Sequence, residues 1–189
     1  LVQDRLTERE LLARVASGLF RAPSVVKANM LEPLRSAIYA FKTDFVIAYW
    51  IARLKPADLP VAQAELKSAG FTNPTIRDFD DQPLDIKAVD KPVDVLMDVE
   101  PRSPDTSGFP GRAYDRHSVI GPMLTQAAST GKPVASDPIP LLRQNGPIGL
   151  VLAAPILVEG TTEPAGFVAF SYELASLMLT NDDSSLFSV

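Results

Sequence analysis

The sequence predicts an α+β domain, in which an antiparallel sheet with flanking helices follows a long N-terminal helix. Short runs typical of buried strands recur from residue 45 onward, and brief turns join many of them. Only two helical segments interrupt seven predicted strands, which argues against a doubly wound parallel sheet, because parallel strands need long crossovers. Several prolines stand at strand ends, which also favours antiparallel pairing.

The first 43 residues carry a helical pattern. Thr7 and Glu10 have the spacing of a capping box, Pro23 interrupts the pattern, and a second periodic run spans residues 31–41. We expect a long or broken amphipathic helix that either packs on the core or pairs with a second copy of the chain. Its first apolar stripe consists of Leu11, Leu12, Val15 and Leu19.

Seven strands and three further helices follow in order. The predicted strands are residues 45–51, 71–79, 84–89, 93–99, 133–140, 148–158 and 166–172. The predicted helices are residues 58–69, which end at Gly70, residues 118–129, which end at Gly131, and a short final helix that starts at Ala175. Residues 100–115 are rich in proline and glycine and predict a loop.

Charge and composition exclude several classes of function. Eighteen basic against 23 acidic residues give a net charge of −5, so the sequence offers no basic stripe for a nucleic-acid backbone. Cysteine is absent, which removes disulfides and thiolate metal sites and mildly favours an exported domain. Neither a membrane-spanning run nor a signal peptide stands out. Because the chain starts with Leu1, we expect a piece of a longer protein whose membrane helices lie outside it.

Residues that could carry chemistry are few. His117 is the only histidine, and its polar surroundings before a helix favour a solvated position over a catalytic one. The acidic residues Asp78, Asp80, Asp81 and Asp85 lack the glycine and the terminal glutamate of an EF-hand calcium loop and favour a solvated turn. Neither a metal nor a cofactor is therefore expected.

Asp98 and Glu100 raise two alternatives. Strand alternation places both acids on one face and Met97 and Val99 on the other. If Met97 and Val99 face the core, the acids are simply exposed. If the acidic face lines a cavity, Asp98 becomes an anchor for a polar ligand.

A succession of short motifs runs through the second half of the chain. The motifs are Val99-Glu100-Pro101, Thr130-Gly131, Val134-Ala135-Ser136, Leu141-Leu142, Gly149-Leu150-Val151-Leu152, Gly166-Phe167-Val168 and Ser171-Tyr172. Their order and spacing resemble the CHASE domain, the extracytoplasmic sensor of receptors such as plant cytokinin receptor kinases and bacterial histidine kinases and diguanylate cyclases. The resemblance covers residues 45–178 and implies PAS-like antiparallel sheets, a long helix rising from a membrane span, and a small ligand in a membrane-distal lobe. Residues 1–43 would then be a stalk or dimerisation helix, 44–178 the sensor domain, and 179–189 a polar tail or the start of a truncated second lobe.

The resemblance also points to candidate ligand-binding residues. In the cytokinin receptors an acid, a leucine and a threonine contact the ligand, and these positions fall here at Ile120, Leu142 and Ala153. Only Leu142 matches, so cytokinin is not the expected ligand, because its buried polar groups would lose about 1–3 kcal/mol each. We expect a more apolar pocket, with polar contacts from Asp98, Ser136, Ser171 or the backbone.

The sequence therefore predicts a ligand-sensing, non-enzymatic module, periplasmic or otherwise extracytoplasmic, of an inner-membrane receptor. We expect it to bind a small molecule, to dimerise through its N-terminal helix, and to signal to a cytoplasmic histidine kinase or diguanylate cyclase. Two alternatives remain open. One is a structural dimerisation spacer without a ligand, and the other is a periplasmic hydrolase or lyase that uses Asp98, Glu100 and His117.

Overall fold

The computed structural model describes residues 2–19, 27–32, 35–40, 45–78, 80–115, 117–142 and 146–178. The helices are α1 (Val2–Leu19), α2 (Arg35–Ala40), α3 (Leu59–Ser68), α4 (Gly121–Thr130) and α5 (Leu174–Met178). The strands are β1 (Phe45–Leu54), β2 (Val93–Glu100), β3 (Ala113–Tyr114), β4 (Val134–Ala135), β5 (Ile139–Pro140), β6 (Ile148–Leu157) and β7 (Pro164–Glu173). Short 3-10 turns span Pro56–Asp58 and Ile86–Ala88.

The strands form one antiparallel sheet in the order β3-β2-β1-β7-β6-β4, with β5 also paired to β6. The first and last long strands of the chain, β1 and β7, therefore meet in the middle of the sheet. Gly166 lies where β7 crosses the indole of Trp50, and a Cβ there would come within 2.8 Å of the ring and 2.3 Å of the Ile51 carbonyl oxygen. The α+β prediction is confirmed.

Helices cover both faces of this sheet. On the α1 face, α1, the chain around Leu31, α3 and α5 pack against side chains from β1, β2, β6 and β7. On the α4 face, α4 covers the opposite side of the same strands. The predicted end of α4 is confirmed, because Gly131 takes the left-handed conformation (φ 64°) and its N–H bonds to the Ala127 carbonyl.

Two predicted strands are wrong. Residues 71–78 and 84–89 form irregular chain and a 3-10 turn, with isolated bridges at Arg77 in place of a ladder. The reason is the Arg77 side chain, which is buried and gathers backbone carbonyls from two loops, so that these loops fold around it instead of pairing along their length. The acceptors are the carbonyl oxygens of Asn73, Thr75, Gly108, Phe109 and Pro110, and the Asp81 carboxylate.

Two smaller boundaries also differ from prediction. The short strand β3 lies inside the segment predicted as loop, and residues 133–140 form two short strands in place of one. Between β4 and β5, the Ser136 hydroxyl accepts the Val151 N–H at 3.0 Å, and Pro138 has no N–H to donate to a ladder.

The N-terminal region is not one long helix among the described residues. Helix α1 ends at Leu19, residues 27–32 are irregular, and α2 is a separate six-residue helix. The packing face of α1 differs from the predicted stripe. Ala13 and Ala16 are buried against the sheet, whereas Leu11 and Val15 are 61% and 42% exposed. Leu12, Leu19 and Phe41 of the predicted pattern lie outside the described side chains, as do residues 179–189.

Hydropathy over the described helices gives no membrane span, since none of them combines the necessary length with a sufficiently apolar composition.

Candidate functional site

A bulge in β2 decides where its acidic side chains lie. Trp50 pairs with Asp98 and Ile51 pairs with Leu96, so that Met97 is the extra residue. The bulge places Met97 and the two acids on the α1 face and Val99 on the α4 face. The simple alternation expected from the sequence is therefore interrupted. Asp98 and Glu100 are only 1% and 5% exposed, so the alternative with both acids exposed is wrong.

The Asp98 carboxylate binds the chain's own N-terminal region. Its Oδ2 accepts a hydrogen bond from the N–H of Leu31 at 3.0 Å. Its Oδ1 accepts hydrogen bonds from the N–H of Val99 at 2.9 Å and from Nη2 of Arg102 at 2.7 Å. Burial raises the pKa of Asp98, and these three donors act against that rise. Asp98 thus ties residue 31 to the second strand of the sheet.

Glu100 makes the neighbouring contacts. Its Oε2 accepts a hydrogen bond from Nη2 of Arg35 at 3.0 Å, and its Oε1 accepts one from the Tyr39 hydroxyl at 3.0 Å. The bond to Glu100 raises the pKa of Arg35, whereas burial is the main cause of the raised pKa of Tyr39. We call Asp98 and Glu100 together the carboxylate latch, because they fasten Leu31, Arg35 and Tyr39 to β2.

Two further contacts secure the same segment. The Trp50 indole N–H donates to the Lys27 carbonyl at 3.1 Å. Arg102, besides its bond to Asp98, donates to the Asn29 side-chain oxygen at 2.5 Å and lies over the Phe71 ring at 4.6 Å from its centroid. We call the described residues 27–32 and 35–40 the connector, since they join α1 to β1 along the chain.

Most of the other predicted ligand-binding residues lie on the α4 face. Ala153 is 0% exposed and pairs with Ala169 on β7 and Val134 on β4, while Ile120 is half-buried beside it in the same cluster. The Ser171 hydroxyl accepts the Ile47 N–H at 3.1 Å and the Tyr49 hydroxyl at 3.3 Å. Burial raises the pKa of Tyr49 to about 12, so this phenol stays neutral.

Leu142 lies at the margin of the α4 face, and Ser136 lies between the short edge strands β4 and β5. Leu142 is half-buried against this cluster with a left-handed backbone (φ 64°). The Ser136 hydroxyl is occupied by the Val151 N–H and the Asp137 carbonyl. Four of the six predicted residues therefore belong to the α4 side of the sheet, Ser136 bonds to the backbone at its edge, and the sheet separates Asp98 from the four.

A polar cavity opens on the α4 face where β1 ends and β2 begins. It has a volume of about 560 Å³, and we call it the strand-end cavity. A second cavity of about 600 Å³ shares Arg53 and Pro92 with it and continues toward the turn between β6 and β7. The strand-end cavity is lined by Arg53, Lys91, Pro92, Val93, Asp94, Tyr114, Asp115, His117, Gly121 and Thr125.

Arg53 is the central charge of this cavity. It forms a bidentate pair with Asp94, with Nε to Oδ1 at 2.8 Å and Nη2 to Oδ2 at 2.9 Å, and its guanidinium lies 5.3 Å from the centroid of the Phe167 ring. Burial raises the pKa of Asp94, and the same burial raises that of the Tyr114 phenol. Sequence reasoning missed this pair, although a charged residue at position 53 of an otherwise apolar strand was the available signal.

The remaining candidates do not assemble into a catalytic or metal site. His117 lines the strand-end cavity on the α4 face, whereas Asp98 and Glu100 face α1, so the three residues of the hydrolase alternative are not brought together. The acids near Asp80 lie in a turn closed by bonds from backbone N–H groups and from Arg77. Across the described ranges, no three metal-binding side chains cluster closely enough to hold an ion.

The comparisons with known proteins agree with this architecture. Residues 46–186, well over half of the chain, match the family described as the CHASE domain. No curated protein sequence matches the chain. The chain therefore belongs to the CHASE domain family, whose members are extracytoplasmic sensor domains of membrane signalling receptors.

Proposed function

We propose that this domain senses a small molecule on the α4 face of its sheet and transmits binding through the connector to α1. The observation that carries the proposal is the carboxylate latch. It fastens the connector to β2, and the neighbouring residues of β1 and β2 line the α4 face. A ligand that moves these strands therefore acts on the chain that leads to α1.

The α4 face suits such a ligand because of its side chains. Ala153, Ala169 and Ser171 are small residues in adjacent positions of β6 and β7, so modest movement of α4 creates space above them. Ile120 and Leu142 would supply apolar contacts at the margin, and the Ser136 and Ser171 hydroxyls would supply polar ones by exchanging their present bonds within the protein. Asp98 serves the latch instead of the ligand.

Signal transmission requires only a difference in affinity between two arrangements of the connector, and a few kcal/mol is enough. We propose that α1 pairs with α1 of a second copy through exposed Leu11 and Val15, which stand one turn apart on the helix. The receptor would be anchored by membrane helices outside this chain and would control a cytoplasmic histidine kinase or diguanylate cyclase. PAS-like signalling geometry is part of the same proposal, supported by the central antiparallel strands.

The close packing of Ala153 favours one alternative, a dimerisation spacer that binds nothing. A thermal-shift screen of the purified chain separates the sensor from the spacer. The library consists of small metabolites and includes purines and cytokinins. A ligand at one hundred times its Kd adds about 2.7 kcal/mol to the free energy of unfolding, which raises Tm by several degrees.

Each hit is then tested on two matched variants. Ala153→Leu fills the α4 face and should abolish the shift, whereas Ala64→Leu, on the exposed side of α3, should preserve it. Sedimentation velocity on the same samples measures dimerisation. A library without hits would favour the spacer, and hits equally retained by both variants would place the ligand outside the α4 face and overturn the proposed site.

A further inference from the structure

The strand-end cavity is lined by charged side chains, which the apolar centre of the α4 face lacks. We propose that it binds the carboxylate group of a small organic monoacid, with Arg53 and Lys91 as its partners. This inference rests on the proposed sensing function, because it assigns the ligand's charged group to one end of the same face. The rest of the ligand would extend along the apolar wall toward α4.

The position of the cavity supports this assignment. Its walls come from the end of β1, the start of β2, the short strand β3 and the first two turns of α4, where Gly121 and Thr125 line it. Ile120, the residue just before α4, packs against the apolar cluster of the α4 face. A molecule in the cavity therefore touches the helix whose movement would open that face.

Arg53 is prepared for an anion. Its bidentate pair with Asp94 uses Nε and Nη2, so the Nη1 amino group is not engaged by that carboxylate. The pair and the Phe167 ring fix the guanidinium plane, so little conformational freedom remains to be lost when a second carboxylate binds. Lys91 lines the same cavity and is exposed, so that its flexible ammonium can move toward a bound anion.

The charges of the lining favour a singly charged ligand. Arg53 and Lys91 are balanced by Asp94 and Asp115, and one oxygen of Asp115 already accepts the N–H groups of His117 and Ser118. A monocarboxylate gains two cationic partners, while a dianion such as phosphate meets stronger repulsion from the two acids. Pro92 and Val93 provide apolar contact for the remainder of the molecule.

The test is an NMR titration of the full chain with pyruvate, L-lactate and benzoate, with the corresponding amides and inorganic phosphate as comparators at matched ionic strength. We expect saturable shifts at the backbone N–H groups of residues 91, 93, 94, 114 and 121 with the carboxylates, and weaker or no response with the amide ligands and phosphate. Lys91→Glu should weaken carboxylate binding about ten-fold, because attraction is exchanged for repulsion.

Lys132→Glu is the matched control. It makes the same change in net charge on another exposed lysine just beyond the far end of α4, about 15 Å along the helix from Gly121. Arg53→Gln should also weaken binding, but Lys91→Glu decides the result, because Lys91 is exposed and its replacement does not disturb the core. Equal affinity in the two lysine variants, shifts mapped elsewhere, or no saturable response to any of the three acids would overturn the proposal.

The outcomes also separate this inference from the proposed function. A library hit lost in Ala153→Leu but unaffected by Lys91→Glu would leave the sensor and remove the carboxylate site. Carboxylate binding that depends on Lys91 but leaves hydrogen exchange at Leu31 unchanged would support the site and count against sensing.

Discussion

The two faces of the sheet are built from the same strands but differ in what they bury. The α1 face holds large aromatic side chains, among them Trp50, Phe170 and Tyr172, together with the two acids of the carboxylate latch. The α4 face carries small residues such as Ala153 and Ser171 in its centre and ends in the strand-end cavity. One face fastens the N-terminal region, and the other is the face proposed to bind the ligand.

This difference suggests a division of labour within a single layer of strands. A face made of large, interlocked side chains moves as a unit and transmits displacement, because a close-packed interior resists gradual deformation. A face made of small side chains under a short helix can be repacked at lower cost.

Replacing Trp50 with alanine should destabilise the domain by about 3–5 kcal/mol, since it removes a fully buried indole and its bond to Lys27. The matched change on the other face is Ser171→Ala, which removes one hydroxyl and should cost about 1 kcal/mol. Urea unfolding of both variants measures the difference. If Ser171→Ala proved as costly as Trp50→Ala, the α4 face would not be the more adaptable one.

Breaking the carboxylate latch should have an intermediate effect that is concentrated in the connector. Asp98→Ala leaves the Leu31 N–H and Arg102 without their buried acceptor, and we expect a loss of about 2–3 kcal/mol. Hydrogen exchange at Leu31 should accelerate more than exchange in β6. Asp90→Ala, at an exposed turn residue, serves as control and should stay within about 0.5 kcal/mol of the parent chain. Uniform acceleration across the sheet would show that Asp98 is only a stability residue.

The sequence predicted the long strands and α4 because their signals are local. Apolar, β-branched runs identify β1, β6 and β7, and Gly131 marks the end of α4 through its own backbone preference. The resemblance to the CHASE domain, which rests on short motifs in a fixed order, was confirmed over residues 46–186. These features could be predicted from the sequence because neighbouring residues alone determine them.

The features that were missed depend on contacts between distant parts of the chain. Arg77 reorganises residues 71–78 and 84–89 by binding carbonyls about thirty positions away, and periodicity carries no trace of such bonds. The bulge at Met97 changes the face of one residue, which a strict period of two cannot anticipate. The partners of Asp98 and Arg53 likewise come from other elements, so the latch and the cavity became visible only in three dimensions.

The smallest effect concerns protonation, and it distinguishes an acid inside the latch from an acid at the surface. Burial raises the pKa of Asp98 above 3.8, whereas the hydrogen bond from Arg77 lowers that of Asp81 below it. Because folding raises the Asp98 pKa, its contribution to stability is complete below 3.8 and is lost as pH rises through the higher folded value. The Asp81 contribution has the opposite sign and is lost as pH falls through its lowered value.

Carboxyl-carbon NMR titration of the folded chain measures both midpoints directly. We expect the Asp98 midpoint to lie above 3.8 and the Leu31 amide shift to follow the same midpoint, because that N–H donates to the titrating oxygen pair. The Asp81 midpoint should lie below 3.8. In Arg102→Met the Asp98 midpoint should rise further, since a cation that favours the ionised form is removed. An Asp98 midpoint below 3.8 would mean that the attraction of Arg102 and the two N–H donors outweighs burial, and the latch would then be held mainly by charge.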